Sequence, residues 1–152
     1  MRPNLAFMTV AAALILAAFT FTTAEASEYG TADEARAMLD KAVAAVKADE
    51  AEALAMFNSP EGDFRDRDLY VFCANASDGI ETAHPTAKGQ QLGDIKDVNG
   101  FAFGEKILST ASEGTVSELD YFWPRPGSDT PAAKSTFFTK VGNQICAVGY
   151  YK

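Results

Sequence analysis

The feature that most restricts the fold is a change of hydrophobic period near Gly62. Before it, Ala35, Met38, Leu39, Ala42, Val43 and Val46 recur at helical spacing, and Ala53, Leu54 and Phe57 resume the stripe. After it, short segments rich in aromatic and β-branched residues alternate with turn residues. The last two, Lys134–Val141 and Gln144–Tyr151, are separated only by Gly142-Asn143, a tight hairpin join. Joins this short cannot carry parallel crossovers, so the strands must pair antiparallel. One helical face and one antiparallel sheet define an α+β domain.

Local signals place the elements. Thr31-Ala32-Asp33-Glu34 is a capping box, and Asp49 with Glu52 forms a second N-cap. The chain from Thr31 to Asn58 is therefore read as one kinked helix or two in tandem, stopped by Ser59-Pro60. Leu69–Ala74 and Ile80–His84 read as strands around a turn at Asn75–Gly79, the second stopped by Pro85. Lys88–Gly100 is a polar loop. Phe101–Ser112 is predicted as a helix with Phe101, Ile107 and Leu108 inward. Thr115–Trp123 alternates, which puts Leu119, Tyr121 and Trp123 on one face. A proline-rich connection, Pro124–Pro131, precedes the strand that Lys134 is expected to open.

The first residues read as an export signal. Arg2 precedes an apolar run from Leu5 to Phe21, and Ala24-Glu25-Ala26 is a small-x-small cleavage site. We expect residues 1–26 to be removed and residues 27–152 to form the mature domain; an uncleaved membrane anchor is the alternative. The expected compartment is the periplasm or the exterior, with no membrane insertion after cleavage. Cys73 and Cys146 are the only cysteines. An oxidising compartment favours their pairing, against the alternative of two small buried hydrophobes.

Charge and composition exclude several functions. Thirteen basic and 21 acidic side chains give a net charge of −8, which argues against nucleic acid and anionic lipid. One histidine and two cysteines are too few for a zinc site built by the protein. The chain has no GxSxG, HExxH, P-loop or GxGxxG, and no nucleophile–base pair can be assigned, so neither an enzyme nor a cofactor is expected. Asp97-Val98-Asn99-Gly100 invites a calcium reading. Setting Gly100 at the sixth loop place puts Ile95 first and Lys106 twelfth, where carboxylates are required, so that reading fails and turns at Asp94 and Asp97 are expected.

Six segments in order resemble a known family. They are Leu69-Tyr70-Val71-Phe72 before Gly79; Ala83-His84-Pro85 with Gly89; Asp97-Val98-Asn99-Gly100-Phe101; Tyr121-Phe122-Trp123-Pro124-Arg125-Pro126; Pro131 with Lys134-Ser135-Thr136-Phe137; and Ala147-Val148-Gly149-Tyr150-Tyr151. Together they resemble the single Cache domain, in a type-two-like form, over roughly Thr31 to Lys152. Phe137 departs from a common tyrosine and Ala147 from a usual glycine or valine. The chain ends at the last strand, so the expected form is free-standing and exported.

The resemblance implies a PAS-like five-stranded antiparallel sheet behind a long N-terminal helix, with strand order 2-1-5-4-3. That order makes the strands of Cys73 and Cys146 neighbours. It also implies a sensor without catalysis, binding a small organic acid between the sheet and the segment covering it, and partnered by a membrane receptor or histidine kinase. The alternative is a structural or interaction module with a self-filled core. Tyr121, Trp123 and Lys134 are the leading ligand-binding candidates, as aromatic walls around one cation suit a small anion. His84 is a candidate donor at the pocket mouth. Phe101 and Phe103 are candidates to cover either pocket or core. Arg125 is a candidate for bidentate contact, against a solvated loop charge.

Overall fold

A computed structural model describes residues 27–152; the expected export signal lies outside the described residues. The N-terminal helical stretch is two helices, α1 (Ala32–Ala48) and α2 (Glu50–Asn58). The Thr31 hydroxyl accepts from the Glu34 amide while the Glu34 carboxylate accepts from the Thr31 amide at 2.8 Å. Asp49 breaks the rod: its backbone is extended, with φ −158°, and its Oδ1 accepts from the Glu52 amide at 2.9 Å. One residue thus ends α1 and caps α2.

The strands are β1 (Arg65–Asp66), β2 (Leu69–Asn75), β3 (Glu81–Ala83), β4 (Ser117–Pro124), β5 (Pro131–Val141) and β6 (Gln144–Tyr151). All neighbours pair antiparallel. The order runs β3-β2-β6-β5-β4, which is the expected 2-1-5-4-3, and the short β1 shares the outer edge of β2 with β3. A third helix, α3 (Phe103–Thr110), follows a 3₁₀ turn at Leu92–Asp94. Gly104 lets α3 lie against that turn, because a Cβ there would collide with the Leu92 carbonyl oxygen.

Alternation divides the sheet into two unlike faces. One carries Leu69, Val71 and Cys73 of β2 with Cys146 and Val148 of β6, and packs on Leu39, Ala42 and Phe57 of the first two helices. The other carries Tyr70 and Phe72 with Ile145, Ala147, Phe138 and Tyr121, under Leu92, Phe103 and Ile107. Cys73 and Cys146 stand directly opposite in the β2–β6 ladder and are disulfide-bonded, with Cα atoms 4.1 Å apart.

Four expectations need correction. Phe101 precedes α3 and is 42% exposed, not inward, because α3 starts two residues later and its buried stripe begins at Phe103. The second expected strand shrinks to Glu81–Ala83, since Ile80 forms a lone bridge with Gln91 and Pro85 ends the pairing. Lys134 does not open its strand: β5 starts at Pro131, which pairs with Pro124 at the strand ends, where missing amide protons are tolerated. The two-residue β1 was not expected; it forms through a tight turn at Arg67, among the described residues the one non-glycine with positive φ, 56°.

The disulfide joins residues 73 apart in sequence, so the loop-entropy model assigns it about 4 kcal/mol. Replacing both cysteines by alanine should lower the urea midpoint accordingly while leaving far-ultraviolet dichroism unchanged; an unshifted midpoint would remove the crosslink from the stability account.

Candidate ligand-binding site

The centre of the second sheet face is a buried ammonium group. β5 sets Lys134 opposite Tyr121 of β4 and Tyr151 of β6. Its side chain crosses Gly149, where any Cβ would collide with Lys134 Cε. The Nζ then donates to the Tyr70 hydroxyl at 2.9 Å and stands 4.4 Å and 4.9 Å from the ring centroids of Tyr70 and Tyr151. Lys134 is 1% exposed and, among the described residues, makes no ion pair within 4.0 Å. Burial pulls its pKa down to about 7, partly opposed by the charge of Asp68.

Tyr70 links this group to the pocket. Burial, then the neighbouring Tyr121 and Tyr151, raise its pKa well above the usual phenol value, so it keeps its proton. Tyr151 stands beside it and donates to the Pro124 carbonyl at 2.6 Å, which ties the sheet to the proline-rich loop. His84 follows β3. Its Nδ1 accepts from the amides of Thr86 at 3.0 Å and Ala87 at 2.9 Å, which leaves the proton on Nε2. Burial, then the charges of Lys134 and Arg65, push its pKa down to about 4. The ring packs edge-on to Tyr70 with centroids 5.3 Å apart. His84 is thus a neutral donor of fixed tautomer.

These side chains line a cavity with two levels. The outer pocket, about 370 Å³, is walled by Tyr70, His84, Trp123 and the loop Pro124–Asp129. Beneath it is a void of about 10 Å³, room for about one water, bounded by Tyr70, Phe72, Glu81, His84, Phe103 and Tyr121 among others. Phe103 fills the inner level by stacking on Tyr121 at 3.9 Å, with its ring edge to Trp123 at 5.4 Å.

The sequence candidates therefore fall in different places. Trp123, His84 and Arg125 wall the outer pocket, and Tyr121 and Phe103 form the inner floor. Lys134 lies behind the Tyr70 hydroxyl and does not wall either level. Phe101 walls neither level and lines a third hollow of about 280 Å³, shared with Tyr121, Phe122, Lys134 and Lys152. Arg125 is half-buried: its guanidinium lies over the rings of Tyr29 at 4.3 Å and Tyr151 at 4.8 Å, and its Nε is 3.5 Å from Asp68 Oδ2. Three residues were missed. Tyr70 and Tyr151 were visible as aromatic residues in strands. Glu81 was a lone carboxylate in a short strand, a pattern that reads as solvent-facing.

The chain matches the model of the family Single Cache domain 2 over residues 20–149. Two solved structures share the fold. One is described as a Cache chemosensory domain that recognises carboxylic acid, with TM-score 0.57 and 21% identity, covering 78% of this chain and 86% of that one. The other is a periplasmic sensor domain of a chemotaxis protein, with TM-score 0.57 and 23% identity, covering 78% and 88%. The methyl-accepting chemotaxis protein McpP of Pseudomonas putida is 33% identical over 58 residues. That stretch is 38% of this chain and 11% of McpP, so the chain spans only a small part of that relative's length. The fold is that of PAS-like sensor domains, and the chain belongs to the Single Cache domain 2 family.

A base whose pKa falls on folding destabilises the fold in full below the folded pKa, and the penalty fades as pH rises toward the unfolded value. For Lys134 the fading runs from about pH 7 to the usual lysine value, so its contribution to stability rises with pH across that range, while Glu81, raised to about 8, contributes an opposite slope up to that pH in wild type and variant alike. Lys134→Met should abolish that rise, and should be more stable than wild type at pH 6.5 by on the order of a few kcal/mol. Urea melts of both proteins at pH 6.5 and 9.5 decide this; equal slopes would mean that Lys134 is solvated.

Proposed function

We propose that this chain is an extracytoplasmic sensor domain that binds a small organic acid between the sheet and the proline-rich loop. In this reading residues 1–26 are an export signal and residues 27–152 the mature domain. Occupancy passes to a membrane receptor or histidine kinase. The observation that carries the reading is the Lys134 ammonium, buried with no carboxylate among the described residues to pair with it, one phenol away from an open pocket. Burial of a charge without a partner is costly, and a ligand carboxylate would supply one. Tyr70 and His84, with its proton on Nε2, are donor residues of the pocket wall beside Arg125, and Trp123 supplies an apolar wall. The solved relative described by carboxylic acid recognition is consistent with this class of ligand. No described helix is long and apolar enough to cross a membrane, and no metal-binding group of side chains occurs among the described residues.

One observation favours the self-filled module. The inner level is nearly closed by the stacked Phe103 and Tyr121 rings. The two readings separate on ligand linkage. A ligand at 100 times its dissociation constant adds about 2.7 kcal/mol of stability. A thermal-shift screen of C2–C6 carboxylates that moves the melting temperature supports the sensor reading, and no shift with any of them supports the module.

Because Lys134 is half deprotonated near pH 7, an anion that needs its charge should bind less tightly as pH rises. Affinity should fall about fivefold between pH 7 and pH 8 and approach a tenfold fall per pH unit above. Glu81, whose pKa is pushed up to about 8 by burial, gains charge over part of the same range and acts in the same direction; His84 stays neutral throughout. Lys134→Met should weaken binding roughly tenfold at pH 6.5, the effect of losing a nearby charge that acts through the Tyr70 hydroxyl. Calorimetry at pH 6.5 and 8 on both proteins checks the pair of effects. Equal affinity of wild type and Lys134→Met would rule out Lys134 as the counter-charge.

A further inference from the structure

The wall of the inner void carries a second uncompensated group. Glu81 sits on the short edge strand β3, opposite Ala74 of β2. Its main chain is fully used, the amide donating to the Gln90 carbonyl at 2.8 Å and the carbonyl accepting from the Gly89 amide at 2.8 Å. Its side chain turns into the protein and is 2% exposed. Among the described residues, Oε2 is buried with no hydrogen-bond partner, and Glu81 makes no ion pair. The other walls of the void that carry polar atoms are Tyr70, His84, Tyr121 and Trp123, none of them a cation. Among the described residues nothing neutralises a carboxylate in this position, and burial raises its pKa to about 8.

Two facts are therefore joined by one cavity. Tyr70 borders both levels; its hydroxyl holds Lys134, and its ring shares the inner void with Glu81. A buried carboxyl without a donor lines the inner void, a buried cation without a carboxylate stands one phenol behind its wall, and among the described residues the two do not pair with each other. A molecule with a negative and a positive end would satisfy both. The inner void holds about one water-sized group, the size of a primary ammonium, while the outer pocket has room for a carboxylate and a short carbon skeleton.

We propose that the ligand is a short zwitterion, an amino acid or small amino-carboxylic acid, with its ammonium on Glu81 and its carboxylate on the Tyr70–Lys134 side. This rests on the carboxylate reading above and adds to it the second charge. In this arrangement Glu81 is the residue that separates amino acids from plain acids. A site built around a hydrogen-bonding group rejects the analogue that lacks the matching partner, because the buried group is then left unpaired.

The test uses matched pairs that differ only in the ammonium: glycine with acetate, L-alanine with propionate, and straight-chain α- and ω-amino acids up to C6 with their deaminated acids. Each is titrated calorimetrically into wild type, Glu81→Gln and Glu81→Leu at pH 7. In wild type the amino acid of at least one pair should bind about tenfold or more tighter than its partner. Both variants should lose that preference while binding the deaminated acid at least as well as wild type. Glu81→Leu guards against a misfolded amide variant, since it removes the polar group altogether, and melting curves report whether each variant folds. If the plain acid binds as well as its amino acid in every pair, Glu81 plays no part in recognition and this proposal is overturned, while the carboxylate reading stands. If the preference survives both variants, a different group reads the ammonium and the assignment to Glu81 is wrong. If no member of any pair binds, both readings fail together.

Discussion

The arrangement of the second sheet face follows from the buried ammonium of Lys134. A lysine in the middle of a strand would ordinarily carry its charge to water along its flexible stem. Here the stem runs inward across Gly149, because the neighbouring strand offers no side chain at that point. The end of the stem finds one phenol oxygen and two ring faces instead of water. Ring quadrupoles attract a cation, and a desolvated pair of this kind contributes about 2 kcal/mol or more. That is less than the several kcal/mol that burial of an ion costs. The remaining deficit appears as the lowered pKa. A protein that only needed a core here would have gained stability from an apolar side chain.

The opposite face shows what the chain does when stability alone decides. Leu39, Ala42, Phe57, Val71 and Val148 interlock with no polar group among them, and the disulfide fixes β2 to β6 at the level of that core. The crosslinked strands are the ones that carry Tyr70 and Tyr151 on their other side. Rigidity on the helix face therefore holds the two rings around Lys134 at a fixed spacing on the ligand face. One sheet serves both purposes because alternate residues point opposite ways.

What could be read in the sequence was what local chemistry decides. The Thr31 box and the Asp49 cap need only neighbours three residues away, and both form as the residues predict. The Gly142-Asn143 hairpin and the alternation of Leu119, Tyr121 and Trp123 are equally local. Pairing Cys73 with Cys146 needed only the count of cysteines and a compartment. Residues whose role depends on distant partners were harder to place. The start of β5 is set by Pro124 pairing with Pro131 across a loop, so Lys134 was put at a strand end when it lies three residues inside. Glu81 was overlooked because a charged residue in a three-residue edge strand reads as exposed; it is buried on a void that it shares with Leu92 and Phe103, residues distant in sequence. Phe101 was placed inward from a helix start two residues too early.

The pocket rim and the start of α1 share a single carboxylate. Asp68 is buried, and its Oδ1 accepts from the Gly30 amide at 2.7 Å, just ahead of the Thr31 cap. Its Oδ2 faces Arg125 of the pocket loop at 3.5 Å, and the Arg125 guanidinium in turn covers the ring of Tyr29. Arg67, held at positive φ beside Asp68, donates to the carbonyls of Ser27 and Tyr29 at 3.2 Å and 2.9 Å. The segment that leads into α1 is thus anchored on the turn before β2 and on the loop that walls the pocket. A buried carboxylate cannot lose one of its two partners without leaving charge uncompensated, which typically costs several kcal/mol. Movement of Pro124–Asp129 is therefore opposed by the same contacts that fix residues 27–30, and the two segments behave as one mechanical unit around Asp68.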